Sequence, residues 1–307
     1  MKSVLSFAIS SAFLVSPILA AGPVPKPERV PVQAIVTVQA ALGQAGTNLQ
    51  AGDVSVTVNK APAPVTQMDR LSGDLAGMQL ILLLDDSSRS ASLSTHFSEL
   101  RTFLRSLPPS TSVAIAYMSH GTYSLTQPFT TDHNAAANAL RLPTAIPGEN
   151  GSPYFALSEL AKHWPSQDAT TRRAALVLTD GVDRYFTSMV EDDPYVDAAV
   201  HDAEKNGIAI SSIYLRGAGF YGRGSWTTTM AQSRLMQVSE ETGGRAYFEG
   251  ISDPVDIAPF LKDVQDRFAH QYRLTFQALN EKGAQPVSYR SESPELRVEG
   301  PTQIYIK

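Results

Sequence analysis

The chain has 307 residues, of which 43% are hydrophobic, and it carries a net charge of −5. This length can bury one full-sized core and a smaller second core. The sequence contains no basic stripe that could neutralise phosphates, which argues against nucleic acid and anionic membrane surfaces as partners. Because there are no cysteines, disulfides, thiol catalysis, thiolate zinc sites and iron–sulfur clusters are excluded.

Residues 1–21 have the features of an export signal. Lys2 gives a positively charged start, Val4–Leu19 is mostly apolar, and Ala20-Ala21 offers a small-residue cleavage site. The apolar run is short for a membrane-spanning helix, which favours cleavage over an uncut membrane anchor. We therefore predict a secreted or periplasmic protein with no membrane span after signal cleavage. The proline-rich residues 22–31 are expected to form an extended tether.

Patterns typical of strands with one buried and one solvent-exposed face flank the middle of the chain. Val32–Gln39 and Val54–Val58 alternate apolar and polar residues, and so do Tyr272–Gln277 and Gln303–Ile306. We predict that residues 22–75, a linker and β segment, and residues 271–307, a C-terminal β segment, form a small flanking β unit.

Residues 76–270 alternate between two patterns. Continuous apolar runs predict strands that are covered on both faces, and the stretches between them have helical spacing. This alternation predicts an α/β domain with a doubly wound, mainly parallel sheet. The apolar runs are Leu80–Leu84, Val113–Met118, Ala174–Leu178 and Ile208–Leu215. Helical spacing links Phe97, Leu100, Leu104 and Leu107, and a second helix is indicated by Ile257, Leu261, Val264 and Phe268. We expect Asp253 to cap this second helix at its start.

Oxygen-bearing side chains follow two of these strands. Asp85-Asp86-Ser87-Ser88-Arg89-Ser90 follows the first strand, Thr179-Asp180-Gly181 follows a later one, and Gly151-Ser152 precedes a helix. Ligands of such sheets bind beyond the carboxyl ends of the strands. The order and spacing of these motifs resemble the von Willebrand factor type A (VWA) domain family over about residues 76–270. The whole chain resembles a secreted bacterial subgroup of VWA-related proteins.

The resemblance implies a Rossmann-like fold and a divalent-cation site whose open position takes a carboxylate from a protein ligand. The cofactor implied is Mg²⁺, or Mn²⁺ or Ca²⁺ in its place; such ions prefer oxygen ligands. In this sequence the implied metal ligands are Asp86, Ser88, Ser90, Ser152 and Asp180.

A second register of the first motif is also open. It starts at Asp85, directly after the apolar run, and uses Ser87, but it places Arg89 where the family has a hydroxyl. Two carboxylates in a partly desolvated cleft need a positive partner. If the site is degenerate and holds no cofactor, Arg89 near Asp180 could supply that charge.

Three further motifs bear on function. Phe220, Tyr221 and Trp226 fall on a loop at the same edge and are predicted ligand contacts, although packing over the last strand is the alternative. Gly217–Gly222 matches the glycine pattern of a dinucleotide-binding motif. Because it follows a late strand and precedes loop-like chain, we interpret it as a loop and not as a nucleotide site. Asp193 before Pro194 predicts a helix cap rather than a second metal site.

We therefore expect an exported adhesion or binding module, not an enzyme, that captures a protein ligand through a divalent cation. The alternative is a metal-free structural or scaffold interaction protein with a degenerate site.

The export prediction can be tested by mass spectrometry of protein from the cell envelope or medium. We expect the mature chain to begin near Ala21 or Gly22, because that is where the small-residue cleavage site lies. Recovery of Met1 on this material would refute cleavage.

Overall fold

A computed structural model of the chain describes residues 28–40, 49–87, 90–146, 151–168, 170–186, 192–216 and 224–307. The predicted export signal lies outside these ranges. In the described part, no helix is long and apolar enough to cross a membrane.

The strands are β1 (Arg29–Ala40), β2 (Val54–Val58), β3 (Ala61–Pro62), β4 (Val65–Arg70), β5 (Met78–Asp85), β6 (Thr111–Ser119), β7 (Thr122–Thr130), β8 (Arg172–Thr179), β9 (Ile208–Tyr214), β10 (Ala246–Tyr247), β11 (Gln271–Leu279), β12 (Gly283–Ser291), β13 (Leu296–Glu299) and β14 (Gln303–Ile306). The helices are α1 (Ser90–Thr95), α2 (Phe97–Ser106), α3 (His133–Asn138), α4 (Pro153–Lys162), α5 (Pro194–Lys205), α6 (Ser225–Glu241) and α7 (Ala258–Ala269).

The central sheet has six strands in the order β10-β9-β8-β5-β6-β7. Every neighbouring pair is parallel except β6 and β7, which are antiparallel. The prediction of a mixed α/β fold with a mainly parallel sheet is therefore confirmed.

Strand β5 is buried on both faces, as its apolar run predicted. Leu80, Leu82 and Leu84 belong to one core with α2 and α7, whereas Ile81 and Leu83 belong to a second core with α4, α5 and α6. Strands β5 and β8 are direct neighbours, with Leu84 opposite Leu178. This pairing brings the two acidic motifs side by side at the carboxyl edge of the sheet.

The flanking segments form two four-stranded antiparallel sheets. Their orders are β13-β1-β11-β4 and β14-β12-β2-β3, so each sheet combines strands from both ends of the chain. Side chains from the two sheets share one core that includes Val36, Val56, Leu274, Phe276 and Ile304. Val54–Val58 pairs with β12 and is not a strand of the central sheet. We call these two sheets the β sandwich.

Three sequence predictions differ from the structure. The tether predicted for residues 22–31 is wrong from Arg29 onward, where β1 begins, and residues 22–27 lie outside the described ranges. Pro31 is tolerated in β1 because the strand pairs there with β11 alone, so the missing N–H of proline leaves no broken ladder. Strand β7 was not predicted, since it is a mostly exposed edge strand that contains Pro128 and lacks a clear apolar period.

The third difference is the start of the last helix. Asp253 was predicted to cap it, but α7 begins at Ala258. The Asp253 carboxylate instead accepts hydrogen bonds from the Arg216 N–H at 2.6 Å and the Ser92 hydroxyl at 2.8 Å. The aspartate therefore joins α1 to the chain that follows β9 rather than capping α7.

The fully buried position of Leu82 gives a stability prediction. Leu82→Ala should lower the free energy of unfolding by about 2–5 kcal/mol, because the cavity it leaves cannot collapse. Leu75→Ala is the control; Leu75 is 46% exposed, and its loss should cost no more than about 0.5 kcal/mol. Urea unfolding measures both, and equal losses would contradict the central place of β5.

Candidate functional site at the carboxyl edge of the central sheet

Asp85, the last residue of β5, is buried and bonded to neutral groups. Its Oδ1 accepts hydrogen bonds from the Ser87 backbone N–H at 2.9 Å and the Ser87 hydroxyl at 2.7 Å. Its Oδ2 accepts one from the Thr179 hydroxyl at 2.7 Å. Burial, and then the negative charge of Asp180, raises the pKa of the Asp85 carboxyl. This aspartate thus lies where a positive charge would be most stabilising.

Asp86 is bonded to different neighbours. Its carboxylate is bound by the Arg141 guanidinium at 2.6 and 3.3 Å and by the Thr144 N–H and hydroxyl at 2.9 and 3.0 Å. Arg141 in turn lies 3.8 Å from the centre of the Tyr117 ring. Burial acts to raise the pKa of Asp86, but the hydrogen bonds from Arg141 and Thr144 hold it below its usual value. Asp86 therefore anchors the loop that follows α3.

Asp180 forms a buried ion pair with Arg184. The two guanidinium–carboxylate contacts measure 2.6 and 3.3 Å, and both side chains are 9% exposed. Gly181 takes a positive φ of 65°, which lets the chain turn back toward the carboxylate. Burial disfavours the charge of Arg184, but attraction to Asp180, and then to Asp85 and Asp183, raises the pKa of the guanidinium. Arg184 is a counterion that several carboxylates share.

Ser152 caps helix α4. Its hydroxyl oxygen accepts a hydrogen bond from the Phe155 N–H at 3.1 Å, and the hydroxyl donates to Asp183 at 2.5 Å. The other Asp183 oxygen accepts hydrogen bonds from the N–H groups of Tyr185 and Phe186. The serine predicted as a metal ligand is thus bonded within the fold.

The structure brings together part of the predicted site. Asp85, Ser87, Ser152 and Arg184 line one cavity of about 20 Å³, which is room for about one water molecule. Asp180 reaches this group through Arg184, whereas Asp86 contacts Arg141 and Thr144.

The remaining predicted residues fall elsewhere. Ser90 begins α1, and its side chain lies outside the described part of the chain, as do Ser88, Arg89, Phe220 and Tyr221. Trp226 was predicted to lie on a loop, but it lies in the first turn of α6, where it is 51% exposed. The predicted cap at Asp193 is confirmed, because its carboxylate accepts a hydrogen bond from the Tyr195 N–H at the start of α5.

Comparison with known proteins finds similarity to solved structures. No family model and no curated protein matches the chain. Among solved structures, the conserved hypothetical protein BatB from Bacteroides thetaiotaomicron is 17% identical, covers 63% of this chain and 99% of its own, and has a TM-score of 0.45. The SpRpn10 VWA domain is 11% identical, with coverages of 61% and 94% and a TM-score of 0.41.

A pilus adhesin is also similar to this chain. SpaC from Lactobacillus rhamnosus GG, in an open conformation, is 8% identical, with coverages of 81% of this chain and 47% of its own and a TM-score of 0.46. Likenesses at these identities concern the fold alone.

The described donors of the candidate site do not fit a divalent cation while Arg184 holds Asp180. Magnesium requires near-octahedral oxygen ligands and free positions for water. Here the Asp180 and Asp86 carboxylates each contact a guanidinium through both oxygens, and the Ser152 hydroxyl is bonded to Asp183. Within the described ranges, no group of three or more histidine, cysteine, aspartate or glutamate side chains is placed to hold a metal ion.

An exposed aromatic cluster lies beside the site. Phe155, Tyr185 and Tyr195 pack edge to face, with ring centres 5.7 to 6.3 Å apart. Phe155 is 38% exposed and Tyr185 is 43% exposed. A Cβ at Gly121 would lie 2.9 Å from both of these rings, so the glycine permits their close approach. We call Phe155, Tyr185 and Tyr195 the aromatic cluster.

Sequence reasoning missed the aromatic cluster and both arginine counterions. Arg184 could have been found, because it is the first basic residue after Thr179-Asp180-Gly181. Arg141 carried no such signal; it is 55 positions from Asp86, and only the fold brings the two together.

The Asp180–Arg184 pair gives a second stability prediction. Arg184→Met should lower the free energy of unfolding by about 3–5 kcal/mol, because it leaves buried carboxylates without a counterion. Asp180→Asn should also destabilise, and the double variant should lose less than the sum by about 1 kcal/mol or more.

A double-mutant cycle by urea unfolding in EDTA measures this coupling. Lys262 and Asp266 on α7 are the matched control, since they have the same spacing but are 74% and 56% exposed. Their coupling should be only about 0.3–0.5 kcal/mol. Additive losses at Asp180 and Arg184 would contradict the counterion role.

Proposed function

We propose that this chain is an exported, non-enzymatic binding module that captures a protein ligand at the carboxyl edge of its VWA-like sheet without a metal ion. The observation that carries the proposal is the exposed aromatic cluster beside an edge where Asp180 and Asp86 are each paired with an arginine. Export rests on the sequence of residues 1–21, and the proposed location is secreted or periplasmic.

Arg184 supports the metal-free part of this proposal. Its guanidinium contacts Asp180 directly and is attracted to Asp85 and Asp183 as well. A divalent cation at the same place would add positive charge next to a buried guanidinium, which electrostatic repulsion disfavours. Asp86 has its own cation in Arg141. The charge that a metal would supply is thus already present in the side chains.

The aromatic cluster supports the binding part. Exposed rings and large apolar side chains at the ligand edge of a doubly wound sheet are typical anchors of protein interfaces. Phe155 and Tyr185 provide such rings, and Leu142 and Ile146, on the loop that Asp86 anchors, are 49% and 69% exposed. Hydrogen bonds hold both supporting loops in place. The rings are therefore presented from a rigid base.

Metal-dependent capture is the second candidate. It is favoured by the grouping of Asp85, Ser87 and Thr179 oxygens next to Asp180. In that case Arg184 must leave Asp180, Mg²⁺ would be held by the residues that the family resemblance implies, and a partner carboxylate would bind the ion.

A crosslinking experiment separates the two candidates. The mature protein serves as bait for envelope and secreted proteins, in EDTA or in Mg²⁺, and the Kd for each captured protein is then measured. We expect the same partner in both buffers and a melting temperature that Mg²⁺ does not change. Phe155→Ser with Tyr185→Ser should weaken binding by about tenfold or more, since both rings are lost from the interface.

Leu75→Ser is the control, because it removes an exposed apolar side chain at the opposite edge of the sheet and should leave the Kd unchanged. Capture that requires Mg²⁺ and is abolished by Asp180→Ala would establish the metal-dependent candidate instead. Capture that survives loss of both rings would show that the binding surface lies elsewhere.

A further inference from the structure

A second cavity lies at the opposite edge of the central sheet, where the sheet meets the β sandwich. Its volume is about 570 Å³. The amino-terminal ends of β5, β8 and β9 form one wall, and β1, β11 and β14 form the other. Small-molecule sites commonly measure roughly 300–1,000 Å³ and often lie between structural units. We call this cavity the junction cleft.

The junction cleft is lined by cationic side chains, and one of them, Arg173, is attracted to the nearby carboxylate of Asp168. Arg172, Arg173, Lys205 and Arg273 all border it. The Arg172 guanidinium donates only to neutral acceptors, the carbonyl oxygens of Phe268 and Ala76 and the Gln271 side chain, at 2.7 to 3.1 Å. Within the described residues, none of the four forms an ion pair. This concentration of positive charge occurs in a chain whose net charge is −5.

Two of these guanidinium groups, those of Arg172 and Arg173, are not fully hydrogen-bonded within the protein. The Nε atoms of Arg172 and Arg173 are shielded from solvent and have no hydrogen-bond partner. Burial lowers the pKa of Arg172 to about 10, as expected for a cation held without a counterion. Buried charges in proteins are normally paired, so this arrangement indicates an anionic partner.

Glu204 is the acidic side chain that borders the cleft, and it is bonded to the β sandwich. It accepts hydrogen bonds from the Gln303 N–H at 2.8 Å and the Thr302 hydroxyl at 3.1 Å. Burial raises the pKa of Glu204 to about 7, so near neutral pH it carries only part of a negative charge. It therefore leaves most of the positive charge of the cleft uncompensated.

We propose that the junction cleft is a binding site for a small organic or inorganic polyanion with two or more carboxylate or phosphate groups. The cations come from β8, α5 and β11, so one ligand with several charges can contact both walls. Guanidinium groups suit both chemistries, because their donors match carboxylate and phosphate oxygens in pairs. The site is separate from the carboxyl-edge surface, and its ligand would hold the β sandwich against the VWA-like domain.

Calorimetry and thermal unfolding of the full chain test the proposal with citrate as the carboxylate probe and pyrophosphate as the phosphate probe. Sodium chloride at matched ionic strength controls for general screening. We expect saturable binding of at least one probe and a rise in melting temperature that chloride does not reproduce. A preference for one probe identifies which of the two chemistries the cleft recognises.

Variants at the rim of the cleft localise the binding. Arg273→Gln with Lys205→Gln should weaken binding by about tenfold or more, because each removes a charge-assisted contact. These positions are preferred to Arg172, whose loss would also remove three hydrogen bonds to the fold. Arg105→Gln is the matched control, an exposed cation on α2 outside the cleft, and should bind as wild type does.

Three outcomes would overturn the proposal. The first is the absence of saturable binding of either probe at millimolar concentration. The second is wild-type affinity in the Arg273→Gln, Lys205→Gln variant. The third is stabilisation by an acidic peptide but by neither small anion, which would make the cleft a protein-binding surface.

Discussion

The ion pair between Asp180 and Arg184 connects the parts of the carboxyl edge. Asp180 follows β8, and the Arg184 backbone N–H donates to the Gly151 carbonyl oxygen at the start of α4. The guanidinium also offsets the charge of Asp85 across the gap between β5 and β8. Removing water from several carboxylates is costly unless positive charge is provided at the same place. The turn after β8, the chain at the start of α4 and the end of β5 therefore all involve one residue, Arg184.

The need to pair or hydrogen-bond these buried carboxylates explains how loops can hold exposed rings in fixed positions. Asp86 holds the loop after α3 through Arg141 and Thr144, and Asp183 holds the segment that carries Tyr185. Each aspartate fixes a different connection by accepting backbone N–H groups or a guanidinium. The exposed surface is apolar, whereas the side chains that hold its loops in place are charged. Binding at such a surface requires little ordering of the protein itself.

Much of the fold could be predicted because its signals are local. The Leu80–Leu84 run specified a strand with two covered faces, and the alternation at Val54–Val58 specified one with a wet face. The register of the acidic motif was harder. Neighbouring residues of an extended chain point to opposite sides, so Asp85 and Asp86 cannot both face Thr179. The motif favoured Asp86 and the strand position favoured Asp85; only the packing of β5 against β8 shows which carboxylate faces Thr179.

The Asp86–Arg141 pair and the β sandwich depend on residues far apart in sequence. Arg29 lies opposite Leu279 in the ladder between β1 and β11, and Val54 lies opposite Ser291 between β2 and β12. As the chain is synthesised, β1 and β2 emerge long before their partners exist, whereas the central sheet can complete itself in between. Strand pairing between such distant segments forms slowly, because the chain loses the entropy of a long loop before it gains any stabilising contact. We therefore expect the β sandwich to assemble last, and its early strands to be open to aggregation until their partner strands are available.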